Sequence, residues 1–309
     1  MAQVWRNQNW CDMKWNFTNL LLIGILGTLI TGSVLAQNIN QILSSYTGTN
    51  ASGYLRPVTD LTAASLHTGL WSLMPDDSSF HVRFGLTHSA FLPFSNQQEF
   101  EAVTEYPFTP ESKVLAPTIV GAIESVTVQG ENGTAFVFPG GFKPEVFLYA
   151  LPEIAVGEVA GTSLYGRYLG FKLNDDEFDR FSNWGLGIQH DISRYFPHEG
   201  YRLGIGYAYH QVKLGDQVNG QFHLISGNAY LTGRLGLGYV SLGYAISNMQ
   251  VSYDYDSGET AERIHIDTKG DYPFMAEIGG ELNLWVIRLR LAAKVSPPFG
   301  AAAGLHFAF

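Results

Sequence analysis

Apolar and polar residues alternate along most of the chain after residue 37. The last nine residues show this most clearly, because Ala301, Ala303, Leu305, Phe307 and Phe309 fall on one face while smaller or polar residues fall on the other. Side chains of a β-strand point alternately to its two faces, so a period of two residues indicates strands rather than helices. The pattern therefore predicts an all-β fold.

The same alternation divides the chain into strands that run up and down in turn. We place them at 65–74, 79–92, 98–107, 147–158, 162–172, 181–193, 201–214, 222–235, 237–255, 261–284, 286–296 and 299–309. The segment 93–146 is the hardest to interpret, because it is interrupted by Ala116-Pro117-Thr118 and by Pro139-Gly140-Gly141. It holds one strand or three, and its remaining parts can fold inward as a hatch.

The composition indicates that one face of each strand meets lipid. The 309 residues are 46% hydrophobic and 14% aromatic but only 15% charged, whereas charged residues usually make up about 25% of a soluble domain. The mean hydropathy is nevertheless only +0.02, as expected where alternate residues face lipid and a polar interior. We predict a transmembrane up-and-down antiparallel β-barrel with 12 strands, and 14 strands as the alternative; both counts are even, as in bacterial outer-membrane barrels.

Composition also excludes two classes of protein. Disorder requires low hydrophobicity and high net charge, which this chain does not have. The 18 Lys and Arg residues are outnumbered by 28 Asp and Glu residues, so there is no basic surface for nucleic acid.

The N-terminal 36 residues have the parts of a secretory signal peptide. The apolar run Leu20–Ile30 is too short to span a membrane as a helix, which needs about 20 residues. Small residues follow it, and they predict cleavage between Ala36 and Gln37. Translation can start at Met1 or at Met13; the n-region is long from Met1, and a start at Met13 gives a compact signal.

The domain organisation follows from this cleavage. Residues 1–36 are the signal, 37–64 form a periplasmic or plug segment, and 65–309 form the barrel. The single cysteine, Cys11, is removed with the signal. The mature chain then has no disulfide and no cysteine-ligated metal.

Charged residues of the strands fall on the face opposite the apolar one, and these are the candidate lumen-lining residues. They are Arg83, Arg167, Arg202, Glu277, Glu281, Arg288, Arg290 and Lys294. If 273–284 pairs with 286–297 so that paired residue numbers sum to 571, Glu281 faces Arg290 and Glu277 faces Lys294. These charges either select solutes or form a neutralising ladder that fills a narrow barrel.

The sequence carries no recognisable catalytic, cofactor or metal motif. Gly233, Gly236 and Gly238 lack the lysine and the strand–loop–helix context of a phosphate loop. The nine histidines are scattered, and the acidic run at 175–179 lacks the glycine of a calcium loop. We expect no cofactor, no metal and no enzyme activity; a barrel lipid hydrolase, which would need a serine in contact with a histidine, is a minor alternative.

Several motifs resemble known bacterial barrels. The stretches 151–157 (LPEIAVG) and 161–168 (GTSLYGRY), with Ala116-Pro117-Thr118, resemble an uncharacterised Gram-negative family classed as a domain of unknown function among membrane β-barrels. The resemblance covers roughly residues 40–309. It extends more distantly to fatty-acid-transporter-like barrels, which have 14 strands and an N-terminal hatch. The ending at Phe307 and Phe309 resembles the C-terminal strand of outer-membrane barrels, in which the assembly machinery reads the terminal aromatic residue.

These features predict a protein of the Gram-negative outer membrane. Its expected partners are outer-membrane lipid, the barrel assembly machinery and a small solute, but not nucleic acid. The leading hypothesis is that a small solute, which can be hydrophobic, is bound in a partly plugged lumen or passes through it. The alternative is a non-transporting structural barrel, or one that contacts a partner at the cell surface. A continuous cavity would favour passage, and a packed interior would favour the structural role.

Overall fold

The computed structural model describes residues 46, 48–71, 80–105, 108–173, 179–196, 200–256 and 261–309. The predicted signal peptide, with its predicted cleavage site between Ala36 and Gln37, and most of the acidic run at 175–179 lie outside these residues. Within this described part, two α-helices, α1 (Gly48–His67) and α2 (Ser95–Gln98), and two short 3-10 helices, Glu131–Gly133 and Ser193–Tyr195, accompany the strands. Among the described residues, no helix is long and apolar enough to cross a membrane.

Most of the residues that the structure describes are in β-strands. The strands are β1 (His81–Phe91), β2 (Glu99–Val103), β3 (Lys113–Pro117), β4 (Val126–Gln129), β5 (Ala135–Phe138), β6 (Phe147–Val159), β7 (Thr162–Lys172), β8 (Arg180–Asp191), β9 (Arg202–Leu214), β10 (Val218–Gly233), β11 (Gly236–Asp256), β12 (Ala261–Lys269), β13 (Phe274–Leu284), β14 (Ile287–Lys294) and β15 (Gly300–Ala308). They pair antiparallel in the order β10-β9-β8-β7-β6-β1-β15-β14-β13-β11, and β11 pairs again with β10. The result is a closed ring of ten strands, while β12 pairs only with the projecting end of β11.

The predicted count of 12 strands is wrong, and so is the alternative of 14. Residues 65–74 were assigned to a strand, but 65–67 end α1 and the following residues up to Trp71 form a turn. Residues 98–107 yield only β2, which pairs with β3 outside the ring. The long strand at 261–284 breaks before Phe274, so only its second half enters the ring. Short apolar alternation occurs in helices and isolated hairpins too, and it does not distinguish them from wall strands.

The wall alternates as expected, with its apolar side outward. Large apolar residues are exposed on the outer face of the ring strands; examples are Leu148, Ile154, Leu164, Leu186, Ile205, Ile225, Val240, Leu242, Ile278, Leu282, Leu291 and Leu305. The intervening positions point inward and hold buried polar residues such as Asn183, Gln189, Asn228 and Ser241. We call the exposed apolar zone the outer belt.

Inside the ring lies the plug, which we define as α1 and the turn that continues it to Trp71. Fifteen of the twenty residues of α1 are buried, and its last turn and Trp71 contact the inner faces of β7, β9 and β10. A helix that is buried over most of its surface needs no amphipathic stripe. This explains why the sequence pattern did not indicate a helix.

The segment 93–146 caps one mouth of the barrel, whereas the predicted hatch would lie within the lumen. Its small sheets β2–β3 and β4–β5 share an apolar cluster with the first half of α1 and with the projecting β11–β12 hairpin. The amide of Ile119 donates to the Tyr54 carbonyl at 3.0 Å, and the Asn50 side chain donates to the Val103 carbonyl at 2.7 Å. The element that enters the lumen is therefore helix α1, and the segment 93–146 contacts its first half at the mouth of the barrel.

Candidate functional site

The candidate site is the buried ion-pair network between the wall and the plug. At its centre, Glu153 of β6 accepts hydrogen bonds from Arg167 Nε at 2.7 Å and Arg290 Nη1 at 3.1 Å, and His306 Nε2 lies 3.5 Å away. The side chains of all four residues are 1% exposed. Guanidinium–carboxylate bonds of this kind are among the strongest hydrogen bonds in proteins, and two arginines on one carboxylate leave the network with excess positive charge.

A second carboxylate, Glu281 of β13, takes up part of that charge. Arg83 Nη1 donates to its two oxygens at 2.9 and 3.1 Å, while Arg288 and Arg290 each approach within 3.9 Å. Arg83 stands on β1, so its side chain reaches past β14 and β15 to meet β13. The interior is thus narrow enough for residues of non-adjacent strands to touch.

The register predicted between β13 and β14 is confirmed. Glu281 pairs with Arg290, Glu277 pairs with Lys294, and Leu282 pairs with Leu289 on the outer face. Direct pairing nevertheless does not select the ionic partners. Glu281 makes its short contact with Arg83 instead of Arg290, and Lys294 donates to the Ser296 carbonyl at 2.8 Å.

Four hydrogen bonds of 3.0 Å or shorter join the wall to the end of the plug. Arg167 Nη1 donates to the Leu66 carbonyl at 2.6 Å, and Arg290 Nη1 donates to the Gly69 carbonyl at 2.7 Å. The Gly69 amide donates to Glu277 Oε2 at 3.0 Å, and Tyr230 Oη donates to the Trp71 carbonyl at 2.8 Å.

The position of the two arginines suits the end of a helix. The last carbonyls of an α-helix lack partners within the helix and carry its negative dipole end, which favours cations. The wall supplies two permanently charged donors at that place. The plug is therefore fixed at its inner end by charge as well as by packing.

Of the predicted lumen-lining residues, six meet in or beside the network: Arg83, Arg167, Glu277, Glu281, Arg288 and Arg290. Arg202 lies elsewhere, at the start of β9, where it pairs with Asp191 at 3.0 Å. Lys294 also points away, to the turn at Ser296.

Four residues of the site were missed by sequence reasoning: Glu153, Trp71, Tyr230 and His306, the last of which was counted only among the scattered histidines. Glu153 could have been found, because it alternates with the outward Pro152 and Ile154 and must therefore face inward. Trp71 and Tyr230 carry no such signal, because their roles depend on the plug being helical and inside the ring. Trp71 is fully buried, and its ring packs edge-on against Tyr165 at 5.4 Å between centroids.

The described residues offer little for catalysis or metal binding. No group of three or more His, Cys, Asp or Glu residues among them could hold a metal ion. One serine does contact a histidine, since Ser252 Oγ lies 2.7 Å from His265 Nδ1, but the two are directly opposed neighbours on the β11–β12 hairpin. Within the described residues no carboxylate is hydrogen-bonded to His265, so the pair lacks the orienting acid of a triad.

Comparison with known proteins gives a family but no activity. The model of a family of unknown function, DUF6588, matches residues 13–309. No curated protein matches the chain. The Ralstonia pickettii toluene transporter TbuX is 10% identical, with 84% of this chain and 93% of that chain covered and a TM-score of 0.27. OmpT, an outer membrane protein of Vibrio cholerae, is 8% identical, with coverages of 75% and 100% and a TM-score of 0.26. Similarities at this level say nothing of what the chain binds.

Proposed function

We propose that this chain, which belongs to the DUF6588 family of unknown function, is a Gram-negative outer-membrane barrel that its own plug closes at rest. A small solute, which can be hydrophobic, is bound in the lumen or passes through it only after the inner end of the plug is released. The plug is thus both the barrier and the moving part.

The outer belt supports the membrane location. Its leucine, isoleucine and valine side chains are exposed on a closed ring whose opposite face is polar and charged, an arrangement that is unfavourable in water and favourable in a bilayer. The pairing of β10 with β11 closes the ring, and a closed sheet is the form in which strands cross a bilayer. Most ring strands have 8 to 13 residues, which covers the length of about 9–11 residues that a tilted strand needs to cross.

The observation that carries the closed state is the set of four wall-to-plug hydrogen bonds. Two of them join buried arginines to plug carbonyls at 2.6 and 2.7 Å. The charged side chains that would line an open channel instead form ion pairs with one another and hydrogen bonds to the plug. The interior that the structure describes is packed, so passage requires a change of state.

Conductance in planar bilayers tests this proposal. We expect the wild-type protein to stay closed for most of the recording, and the double variant Arg167→Met/Arg290→Met to open frequently, because both cationic contacts to the plug are lost. Arg56→Ala is the matched control, since it removes an arginine of the plug itself whose ion pair with Asp271 is solvent-exposed. Liposome swelling with uncharged solutes then measures the size of what passes.

A second candidate is a structural or surface-interaction barrel that transports nothing. The mouth segment favours it, because Leu115 and Ile123 are each 66% exposed there. If neither the wild type nor the double variant conducts ions or swells liposomes while both remain folded, transport is refuted and this second candidate stands.

A further inference from the structure

The wall contains one long gap in its hydrogen-bond ladder. Strands β6 and β7 pair from Val159 and Thr162 as far as Glu153 and Arg167, and no pair beyond these is formed. The rest of β6, from Phe147 to Pro152, stays in register with β1. The rest of β7, from Tyr168 to Lys172, stays in register with β8. We call the unpaired interval between these two half-strands the seam.

A seam in a membrane barrel requires an explanation. Backbone N–H and C=O groups without partners are costly in hydrocarbon, which is why spanning barrels are normally fully paired. The outward residues of the unpaired part of β6 are Leu148, Ala150 and Pro152, so the seam begins within the outer belt. Pro152 stands where the ladder stops, and a proline has no N–H to donate.

At its closed end the seam borders an apolar groove of about 1100 Å³ on the outer face of the wall. Pro152 and Tyr168, the first unpaired residues on each side, both line it, together with Phe84, Leu86, Ile154 and Trp184. The groove crosses the outer face from β15 to β8. It therefore faces the same medium as the belt, which in the proposed location is the hydrocarbon of the bilayer.

The inner side of the seam is largely apolar, apart from the hydrogen bond that the Asn183 amide donates to Tyr149 Oη at 2.8 Å. Leu66 of the plug and Leu151 of β6 belong to one buried cluster with Phe222, and Leu169 of β7 packs at its margin. The ion-pair network begins only at Glu153 and Arg167, where the ladder closes. Hydrocarbon on the outside thus meets hydrocarbon on the inside across an unpaired stretch of wall.

We propose that the seam is a binding site for an apolar chain of a bilayer amphiphile, which enters from the lipid and lies between Leu151, Leu169 and the plug. The inference rests on the proposed membrane location but not on solute passage. It assigns the ligand class by chemistry: the lining offers carbon on both faces and keeps the charges below the closed end of the seam.

Cysteine labelling in lipid vesicles tests the proposal, in a chain with Cys11 replaced by serine. Leu151→Cys lies behind the seam, and Ala155→Cys lies on the same strand and the same inward face behind intact ladder; both native side chains are 2% exposed. The reagent is N-pyrenylmaleimide dissolved in the bilayer. We expect Leu151→Cys to react at least about tenfold faster than Ala155→Cys, because equally buried thiols differ here only in access.

Three further measurements make the result decisive. Leu169→Cys repeats the test from β7 if Leu151→Cys does not fold. Leu186→Cys on the outer belt must react with the lipid-dissolved reagent, and if it does not, the proposed membrane location is refuted. If Leu186→Cys reacts but Leu151→Cys and Ala155→Cys both react slowly and at equal rates, only the proposal for the seam is overturned. A charged, water-soluble maleimide that labels Leu151→Cys as fast as the pyrene reagent would place the entry at the aqueous mouth and also overturn the proposal.

Discussion

Replacement of Arg290 by methionine tests how firmly the wall holds the plug. The guanidinium is 1% exposed and donates to the Gly69 carbonyl at 2.7 Å and to Glu153 at 3.1 Å. Breaking a buried ion pair by removing one partner usually costs about 3–5 kcal/mol. Glu153 keeps Arg167 in the variant, so we expect the lower end, about 3 kcal/mol.

The same loss sets the expected change in plug closure. If the whole of it falls on the plugged state, about 3 kcal/mol shifts the ratio of closed to open barrels by more than about a hundredfold, since 1.4 kcal/mol is tenfold. Urea unfolding in vesicles, followed by tryptophan fluorescence, measures the free energy, and single-channel recording measures the opening. The exposed Arg56–Asp271 pair, at 3.1 Å, provides the control, because Arg56→Ala should change stability by no more than about 1 kcal/mol. An Arg290→Met protein with wild-type stability and a closed trace would refute the reasoning.

Three other predictions follow from the plug and the chain end. Burial raises the pKa of the Asp60 carboxyl from 3.8 to about 7. Between these two pH values the folded state binds a proton that the unfolded state has lost, so the free energy of unfolding should fall from pH 4 to pH 8 by on the order of 4 kcal/mol. The variant Asp60→Asn should remove this pH dependence. Gly206→Ala would place a Cβ 2.8 Å from the Trp71 ring and should lower stability by about 1–3 kcal/mol, whereas Gly187→Ala meets the same ring at an ordinary 3.5 Å and should be neutral in the same thermal melt. Phe309→Ala should reduce the amount of folded barrel in outer-membrane fractions without changing total synthesis, and equal amounts would contradict a role of the terminal aromatic residue in assembly.

The wall was largely predictable from the sequence. The strand placed at 162–172 is observed at Thr162–Lys172, and the one placed at 201–214 is observed at Arg202–Leu214. Over most of each strand, large apolar residues such as Leu164 and Ile205 face outward and alternate with small, polar or charged ones, so a period of two residues specifies the strand without knowledge of any neighbour. The same property specified the register at Glu281 and Arg290, because a slip by one residue would turn their charges into the belt.

The plug and the ionic partners were not predictable in this way. Helix α1 is buried over most of its surface, so its sequence shows neither of the two periods that signal local structure. Glu281 is joined to Arg83 across two intervening strands, and that choice depends on the circumference of the closed ring. Alternation gives the face on which a residue stands but not the residue that it meets across a lumen.

The number of strands explains why neither the plug nor the ionic partners could be predicted, and it also bears on function. Barrel diameter grows with strand number, and about eight strands leave room only for side chains while 16–18 leave an aqueous channel. Ten strands lie near the lower limit, so one helix suffices to fill the ring, and arginines of the wall reach its carbonyls directly. In such a barrel the inward charges cannot act as a water-filled selectivity lining while the plug is in place. A solute that passes must therefore displace the plug, and the energy that resists displacement is the energy that the arginine variants measure.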